Sequence, residues 1–244
     1  MSNPYENSLS KNQANYVPLS PISFLSRTAF VHPEKTSLVY KNRKWTWLET
    51  YDRCRRLASA LKKRGIRKGE TVSVMAPNIP AIFEAHFGVL MAGAVLNTLN
   101  IRLEADTLSN IFEHANTKIL LTDKEFSPVI KKALSKVNQK IFVIDIDDNE
   151  IQSGEFLGEI EYEDFLDEGD GSFEIIFPED DWQSVSLNYT SGTTGNPKGV
   201  VYHSRGAYLL ATGNVLAWEM PHHPVYLWTL PMFHCNGWCF PWTI

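Results

Sequence analysis

The chain has 244 residues, of which 43% are hydrophobic, so it is long enough to bury the core of one or two domains. Its 23 basic and 28 acidic residues give a net charge of −5, which argues against a nucleic-acid-binding role, because such proteins usually carry a basic patch. Three cysteines, an odd and low number, indicate a reducing compartment rather than a disulfide-stabilised scaffold.

The N-terminal segment 1–16 is polar, with a single lysine and no apolar core, so it matches neither a signal peptide nor a transit peptide. We predict a tail that precedes the folded part. The longest apolar run, residues 87–96, is much shorter than the ~20 residues that a membrane span needs. No membrane span is therefore expected, and the last three residues are not a peroxisomal targeting tripeptide.

Between residues 37 and 146 strand and helix patterns alternate, which favours an α/β fold with a parallel sheet and helices on both faces. Thr46 and Glu49 form a capping box that opens a helix, and Gly65 is placed to end it. The predicted strands cover residues 37–40, 44–46, 71–75, 118–122 and 140–146. The other predicted helices cover residues 80–92, 106–114 and 127–136.

The stretch 145–181 holds 16 acidic residues and no basic one. Such runs repel themselves and usually form solvated linkers, so we predict a linker-like segment. Because apolar residues interrupt it, we also predict that part of it packs as one short helix. These residues are Phe156, Leu157, Tyr162, Phe165 and Leu166. The acidic residues at its start lack the glycine and glutamate spacing of an EF-hand, so no calcium site is predicted.

A glycine-rich loop follows a predicted strand at 184–189 and spans residues 189–200, YTSGTTGNPKGV. Its glycines allow successive N–H groups to form a nest for an anion, and Lys198 adds a compact positive charge. Hydroxyl donors come from Thr190, Ser191, Thr193 and Thr194. Because the loop leaves the tip of a strand, where α/β folds place ligands, we predict that it binds phosphate.

Two observations sharpen this prediction. After Lys140 the chain has no lysine or arginine until Lys198, and Arg205 is the last one before residue 244. A Walker A loop is excluded, because Lys198 is followed by Gly199 and no neighbouring hydroxyl could hold magnesium. Beyond the loop we predict a strand at 199–202, a helix at 204–218 and a strand at 225–230.

Residues 190–199, TSGTTGNPKG, resemble the phosphate-binding signature of the adenylate-forming superfamily, which includes acyl-CoA synthetases, luciferases and peptide-synthetase adenylation domains. Residues 230–238, LPMFHCNGW, resemble the next block of that superfamily, an aromatic-His segment beside the acyl pocket. Shorter stretches at 21–25, 51–54, 97–100 and 226–230 are similar to plant acyl-activating enzymes of the butyrate- and benzoate–CoA ligase type. The resemblance covers residue 17 to the end.

The resemblance implies an α/β fold of parallel sheets flanked by helices, as an incomplete N-terminal part of the large AMP-binding domain, over residues 17–244. It implies that the phosphates of ATP are bound by Thr190, Ser191, Gly192, Thr193, Thr194, Gly195, Asn196, Pro197 and Lys198. It implies that the acyl pocket is bordered by His234, Asn236, Gly237 and Trp238. The family's catalytic lysine belongs to a C-terminal domain, so no catalytic residue is expected within these 244 residues, and no protein metal site is expected either.

The implied reaction joins a carboxylic acid to coenzyme A with ATP and Mg²⁺, through an acyl-adenylate. Coenzyme A, ATP and the acid are therefore the expected partners, and the cytoplasm or the peroxisome is the expected location. Because the family's downstream motifs have no counterpart before Ile244, we expect this chain alone not to catalyse adenylation. The alternative is a short, non-catalytic nucleotide-binding or regulatory fragment of such an enzyme.

Three smaller questions stay open at this stage. The basic residues between Arg53 and Lys68 indicate either a solvated helix face or a contact with an anion, such as the nucleotide of coenzyme A. Histidines and cysteines between 222 and 239 could suggest zinc, but their spacing is poor for it. His203 and Ser204 are exchanged relative to the plant pattern, which makes Ser204 the expected N-cap of the following helix.

Overall fold

A seven-stranded sheet organises the protein in the computed structural model, which describes residues 3, 5–7, 9–148, 153–190 and 197–244. The strands are β1 (Thr36–Tyr40), β2 (Arg43–Thr46), β3 (Thr71–Met75), β4 (Val95–Thr98), β5 (Thr117–Asp123), β6 (Phe142–Ile146), β7 (Ile160–Glu161), β8 (Ser184–Tyr189) and β9 (Gly199–His203). The sheet order is β7-β6-β5-β3-β4-β8-β9, and all neighbours are parallel except the antiparallel pair β8–β9. Strands β1 and β2 form a separate antiparallel hairpin.

Helices lie on both faces of this sheet. They are α1 (Ile22–Val31), α2 (Trp47–Lys63), α3 (Pro80–Met91), α4 (Ala105–His114), α5 (Ser127–Leu134), α6 (Tyr162–Asp167), α7 (Ser204–Ala217), α8 (Cys235–Trp238) and α9 (Phe240–Thr243), with a 3₁₀ turn at Lys124–Phe126. One apolar cluster joins α1, α2, α3 and α6 to the sheet, and a second joins α4 and α5 to it. The predicted α/β fold with a mostly parallel sheet is confirmed.

The local signals of α2 behave as predicted. The Thr46 hydroxyl accepts the N–H of Glu49 at 3.2 Å, and the Glu49 carboxylate accepts the N–H of Thr46 at 2.7 Å, so the capping box is formed. Helix α3 packs so closely on α2 that a Cβ on Gly88 would lie 2.7 Å from Leu57. Glycine at this position is therefore what allows the two helices to approach.

Part of the acidic stretch 145–181 packs against the rest of the protein, around the short helix that the sequence predicts. Its short helix α6 is present, and Tyr162, Phe165 and Leu166 are buried there. The buried carboxylate of Asp145 accepts the N–H groups of Leu157 and Gly158 at 3.0 and 2.6 Å, which fixes the chain beside β6.

The basic cluster of α2 binds this same acidic stretch. Arg53 forms an ion pair with Glu163, with 2.7 Å between Nη1 and Oε2, and Arg64 forms one with Glu168 at 2.6 Å. Farther along, Lys68 reaches Glu179 at 3.0 Å. The anion that these side chains contact belongs to the chain itself, which explains why opposite charges are segregated along the sequence.

Two expectations need correction. Residues 225–230 do not join a sheet, because no strand lies beside them in the described ranges to complete a ladder. The N-cap of α7 is His203 rather than Ser204, since Nδ1 of His203 accepts the N–H of Gly206 at 3.0 Å. Ser204 is instead buried at the first helical position, and its hydroxyl has no hydrogen-bond partner among the described residues.

Residues 1–16 contribute little to the packed structure. Their described positions, 3, 5–7 and 9–16, are all exposed. The division into this tail and a domain over 17–244 stays a prediction.

Candidate functional site

The predicted phosphate-binding loop joins β8 to β9 at the carboxyl edge of the sheet. Tyr189 lies opposite Gly199 in the antiparallel pair. Two hydrogen bonds of 3.1 Å close the base of the loop: the N–H of Thr190 donates to the carbonyl of Lys198, and the N–H of Lys198 donates to the Thr190 hydroxyl. The two ends of the loop are thus held together.

Of the predicted phosphate-binding residues, only the ends of the loop are described. Ser191, Gly192, Thr193, Thr194, Gly195 and Asn196 lie outside the described residues. Pro197 is half-buried and Lys198 is exposed. Within the described part of the chain no carboxylate forms an ion pair with Lys198, so its ammonium group is available to an external anion.

Tyr189 fixes the strand tip from which the loop leaves. Its hydroxyl shares a hydrogen bond of 2.7 Å with Nδ1 of His114, at the end of α4. Burial raises the pKa of Tyr189, so the phenol stays protonated at neutral pH. The contact ties the base of the loop to the helix layer on one face of the sheet.

A cavity of about 80 Å³ brings the two sequence motifs together. It lies at the carboxyl ends of β4 and β8, where parallel α/β sheets bind their ligands. Thr190, at the base of the loop, and His234, from the second motif, both line it. The other lining residues are Thr98, Leu99, Asn100, Leu103, Ile111, Asn188, Tyr189, Phe233 and Cys235.

The remaining predicted acyl-pocket residues have different positions. Asn236 is fully buried beneath the turn, and Gly237 is buried next to it. Trp238 is exposed. The structure therefore brings His234 to the cavity, while Asn236 and Gly237 lie behind its wall and Trp238 lies outside it.

A polar cluster holds this wall in place. The Asn236 amide donates to the hydroxyl of Ser186 in β8. At the end of β4 the Thr98 hydroxyl donates to the carbonyl of Phe233 at 2.9 Å, and the side-chain oxygens of Asn188 and Asn236 lie 3.2 Å from it. All of these side chains are buried and hydrogen-bonded, so they position His234 and the turn that follows it.

The turn itself has an unusual backbone. Five consecutive residues have positive φ angles, from 50° to 63°, so the helical turn α8 is left-handed: Cys235, Asn236, Gly237, Trp238 and Cys239. This conformation costs roughly 1–2 kcal/mol at each residue other than glycine. Such strain is maintained only when the surroundings over-determine it, as the buried Asn236 amide does here.

Sequence reasoning missed several members of the site. Ser186, Asn188 and Thr98 are polar residues near the carboxyl ends of buried strands, and that position was the signal that could have found them. Cys235 was considered only for zinc, yet it lines the cavity with its Sγ 3.5 Å from Nδ1 of His234.

Tyr202 approaches this thiol from β9. Burial, with a smaller contribution from the neighbouring Cys235 and Cys239 thiols, raises the pKa of Tyr202 to about 12. Among the residues that the structure describes, no group of three or more His, Cys, Asp or Glu side chains is arranged to hold a metal ion. Within the same ranges, no helix combines the length and apolar character needed to cross a membrane.

Comparison with known proteins gives relatives that are much longer than this chain. The chain is 50% identical to the peroxisomal acetate/butyrate–CoA ligase of Arabidopsis thaliana over 97% of its own length and 44% of that protein. It is 48% identical to an acetate–CoA ligase of Humulus lupulus (96% and 43% of the two chains) and 45% identical to the peroxisomal benzoate–CoA ligase of Arabidopsis thaliana (94% and 41%). The chain thus spans less than half the length of the curated relatives it matches.

Solved structures share the fold. The anthranilate–CoA ligase AuaEII, in complex with anthranoyl-AMP, has a TM-score of 0.77 at 22% identity and is matched over 96% of this chain and 45% of its own. The o-succinylbenzoate–CoA synthetase of Bacillus subtilis, in complex with its acyl-adenylate, has a TM-score of 0.72 at 25% identity, with 90% and 52% covered. The sequence also matches the family described as AMP-binding enzyme over residues 25–244, and the chain belongs to that family.

Proposed function

We propose that this chain supplies the phosphate-binding loop and one wall of the acyl site of an AMP-forming acid–CoA ligase. The observation that carries the proposal is the shared cavity at the carboxyl edge of the sheet. Thr190 of the loop and His234 of the second motif are more than forty residues apart in the sequence, yet they line the same space. An acid held beside His234 lies next to a phosphate held by the loop.

The reaction then proceeds in two steps. A carboxylate oxygen attacks the α-phosphorus of Mg-ATP, the bond to the β-phosphate breaks, and pyrophosphate leaves. The thiol of coenzyme A then attacks the acyl carbon, loses its proton and displaces AMP. In the first step Lys198 and the loop residues neutralise and position the departing phosphates, which is the main demand of phosphoryl transfer.

Coenzyme A as the acceptor is supported by the names of the relatives, which are CoA ligases. Their acids range from acetate to benzoate, and we propose a small carboxylic acid of that range. Several relatives are named as peroxisomal, which supports a location in the peroxisome or the cytoplasm.

Binding of ATP to the purified 244-residue chain tests the role of the loop. Lys198→Ala should weaken ATP binding roughly tenfold, because it removes one charge-assisted hydrogen bond to phosphate. Lys140→Ala is the matched control, since Lys140 is also exposed but precedes β6, which is next to the opposite edge strand of the sheet. Isothermal titration calorimetry measures both variants. Equal affinity of the Lys198→Ala variant and the wild-type chain would show that the loop does not bind phosphate.

The ligase chemistry is tested in a chimera in which this chain replaces the matching part of the Arabidopsis acetate/butyrate–CoA ligase. The chimera should exchange pyrophosphate into ATP only when a carboxylic acid is present, and Lys198→Ala should reduce that exchange. The 244-residue chain alone should show none. Exchange by the chain alone would contradict the proposed division of labour, and an inactive chimera that still binds ATP would favour a nucleotide-binding role without catalysis.

A further inference from the structure

Helix α7 is turned so that its small residues are buried and its large apolar residues face outward. The buried side chains are Ser204, Ala207, Ala211 and Asn214. The exposed ones are Leu209, Leu210, Val215, Leu216 and, just after the helix, Trp218. A helix in a finished domain normally places its large apolar side chains toward the core. The outer face of α7 therefore has the composition of a buried surface.

The segment 224–230 continues this exposed surface. Its residues alternate between exposed and half-buried, with Val225, Leu227 and Thr229 pointing outward. This alternation is that of a strand with one covered face. Its C-terminal end is anchored, because the Asn78 amide donates to the carbonyl of Leu230 at 2.9 Å. Within the described ranges no neighbouring strand pairs with it, so it has a strand's pattern without a partner.

Edge strand β9 belongs to the same exposed apolar surface, and this part of the sequence has few charged residues. Among the described residues, β9 is hydrogen-bonded to β8 on one side only, and Val200 and Val201 are both exposed although they point to opposite faces of the sheet. From residue 199 to residue 244 the sequence has only two charged residues, Arg205 and Glu219. Soluble proteins normally avoid exposed sheet edges and large uncharged apolar patches. This surface therefore has the properties of an interface with another segment.

The docking face is the surface formed by β9, the outer side of α7 and segment 224–230. We propose that it binds the part of an acyl-CoA ligase that this chain does not match. It does so even when that part is a separate polypeptide. The inference rests on the proposed function. The partner's chemistry follows from the face: an apolar, strand-forming segment that adds a strand along 225–229 and covers Leu216 and Leu227.

Two observations favour this occupant over a second copy of the chain. The relatives contain more than half of their length beyond the part that this chain matches, so a covering segment exists in them. The docking face also begins directly after Lys198, where β9 leaves the loop. Whatever covers β9 must therefore lie beside the proposed phosphate site, and a second copy would bring only the same lobe again.

The experiment is co-expression of this chain with the unmatched part of the Arabidopsis acetate/butyrate–CoA ligase as two separate polypeptides. Sedimentation velocity measures complex formation, and carboxylate-dependent ATP–pyrophosphate exchange measures assembly of the site. We expect a complex of one copy of each polypeptide, and backbone amides of 225–229 that exchange hydrogen at least tenfold more slowly in the complex than in the free chain.

Variants on the docking face provide the decisive comparison. Leu216→Asp and Leu227→Asp replace side chains that are 78% and 82% exposed, so both chains should fold and bind ATP normally. Each should weaken the complex at least tenfold. Val39→Asp is the matched control, because Val39 is 60% exposed on the separate hairpin, and its complex should be unchanged.

Absence of a complex while the chain still binds ATP would overturn the inference and leave the proposed function intact. Equal binding by all four chains would overturn it as well. A homodimer that Leu216→Asp dissociates would assign the face to a second copy instead. In contrast, equal ATP affinity of the Lys198→Ala variant and the wild-type chain would refute the proposed function.

Discussion

Helices α3 and α7 are both largely apolar and each carries a single charged residue, yet they have opposite surroundings. Every residue of α3 from 81 to 91 is buried, because the helix lies between α2 and the parallel strands. Helix α7 buries only four residues and exposes its leucines. An apolar composition thus indicates that a helix can be buried. Whether it is buried depends on the elements that pack against it.

The charged residues of the two helices differ in the same way. Glu84 of α3 is fully buried, and Arg53 of α2 binds it at 2.6 Å while the Tyr162 hydroxyl donates to it at 2.7 Å. Arg205 of α7 is half exposed and 3.3 Å from Asp181. Substitutions around α3 should therefore affect the free energy of unfolding strongly, whereas substitutions around α7 should affect it weakly.

The largest effect is expected from breaking the ion pair between α2 and α3. Arg53→Met leaves the Glu84 carboxylate buried without its cation, which should lower the free energy of unfolding by about 3–5 kcal/mol. Arg56→Met is the matched control. Arg56 pairs with Asp52 one turn away and also donates to the carbonyl of Gly169 at 3.3 Å, but both charged side chains are more than a third exposed, so its loss should cost no more than about 1 kcal/mol. Chemical denaturation measures both variants.

A double variant separates the loss of a partner from the loss of packing. Arg53→Met combined with Glu84→Met removes the stranded charge and should recover most of the stability. A double variant as unstable as Arg53→Met alone would mean that the arginine side chain acts by packing, not by neutralising Glu84.

The second effect concerns the buried histidine of α3. Burial lowers the pKa of His86 to about 4, and its Nδ1–H donates to the carbonyl of Ile82 at 2.7 Å. Between pH 6.5 and 4 the unfolded chain binds a proton that the folded chain does not. The free energy of unfolding should therefore fall as the pH is lowered through this window, by about 3 kcal/mol in total from this group.

Carboxylates titrate in the same pH range. The useful quantity is therefore the difference in the free energy of unfolding between the wild-type protein and a histidine variant. We expect the stability of wild-type protein relative to His86→Gln to decline from pH 7 to pH 4. A flat difference curve for His86→Gln would show that the buried imidazole does not govern acid sensitivity.

The same contrast marks how much of the fold the sequence could predict. Signals within a few residues were sufficient for α2, since Thr46, Glu49 and Gly65 define its ends, and short runs of apolar residues were sufficient for β3 and α3. The fate of 145–181 was not predictable in this way, because its ion pairs with Arg53 and Arg64 join residues more than a hundred positions apart. Segment 225–230 has a strand's pattern, but a ladder requires a second strand.

The candidate site likewise has parts that the local sequence predicts and parts that depend on residues far away in the sequence. The loop at 189–200 could be recognised from its own composition, and His234 from its neighbours. The cavity depends on Thr98 and Ser186, which lie on strands far away in the sequence and hold Asn236 from beneath. The left-handed turn at 235–239 has only one glycine, so its backbone depends on those long-range hydrogen bonds more than on local preference.

The smallest effect tests the start of α7, where His203 rather than the expected Ser204 caps the helix. His203→Ala removes the acceptor for the N–H of Gly206 and should lower the free energy of unfolding by about 1 kcal/mol. Ser204→Ala removes a buried hydroxyl with no partner among the described residues, so it should be neutral or slightly stabilising. The opposite order in thermal unfolding would restore Ser204 as the cap. The predicted order would show that the histidine–serine exchange moves the cap by one residue and leaves the helix intact.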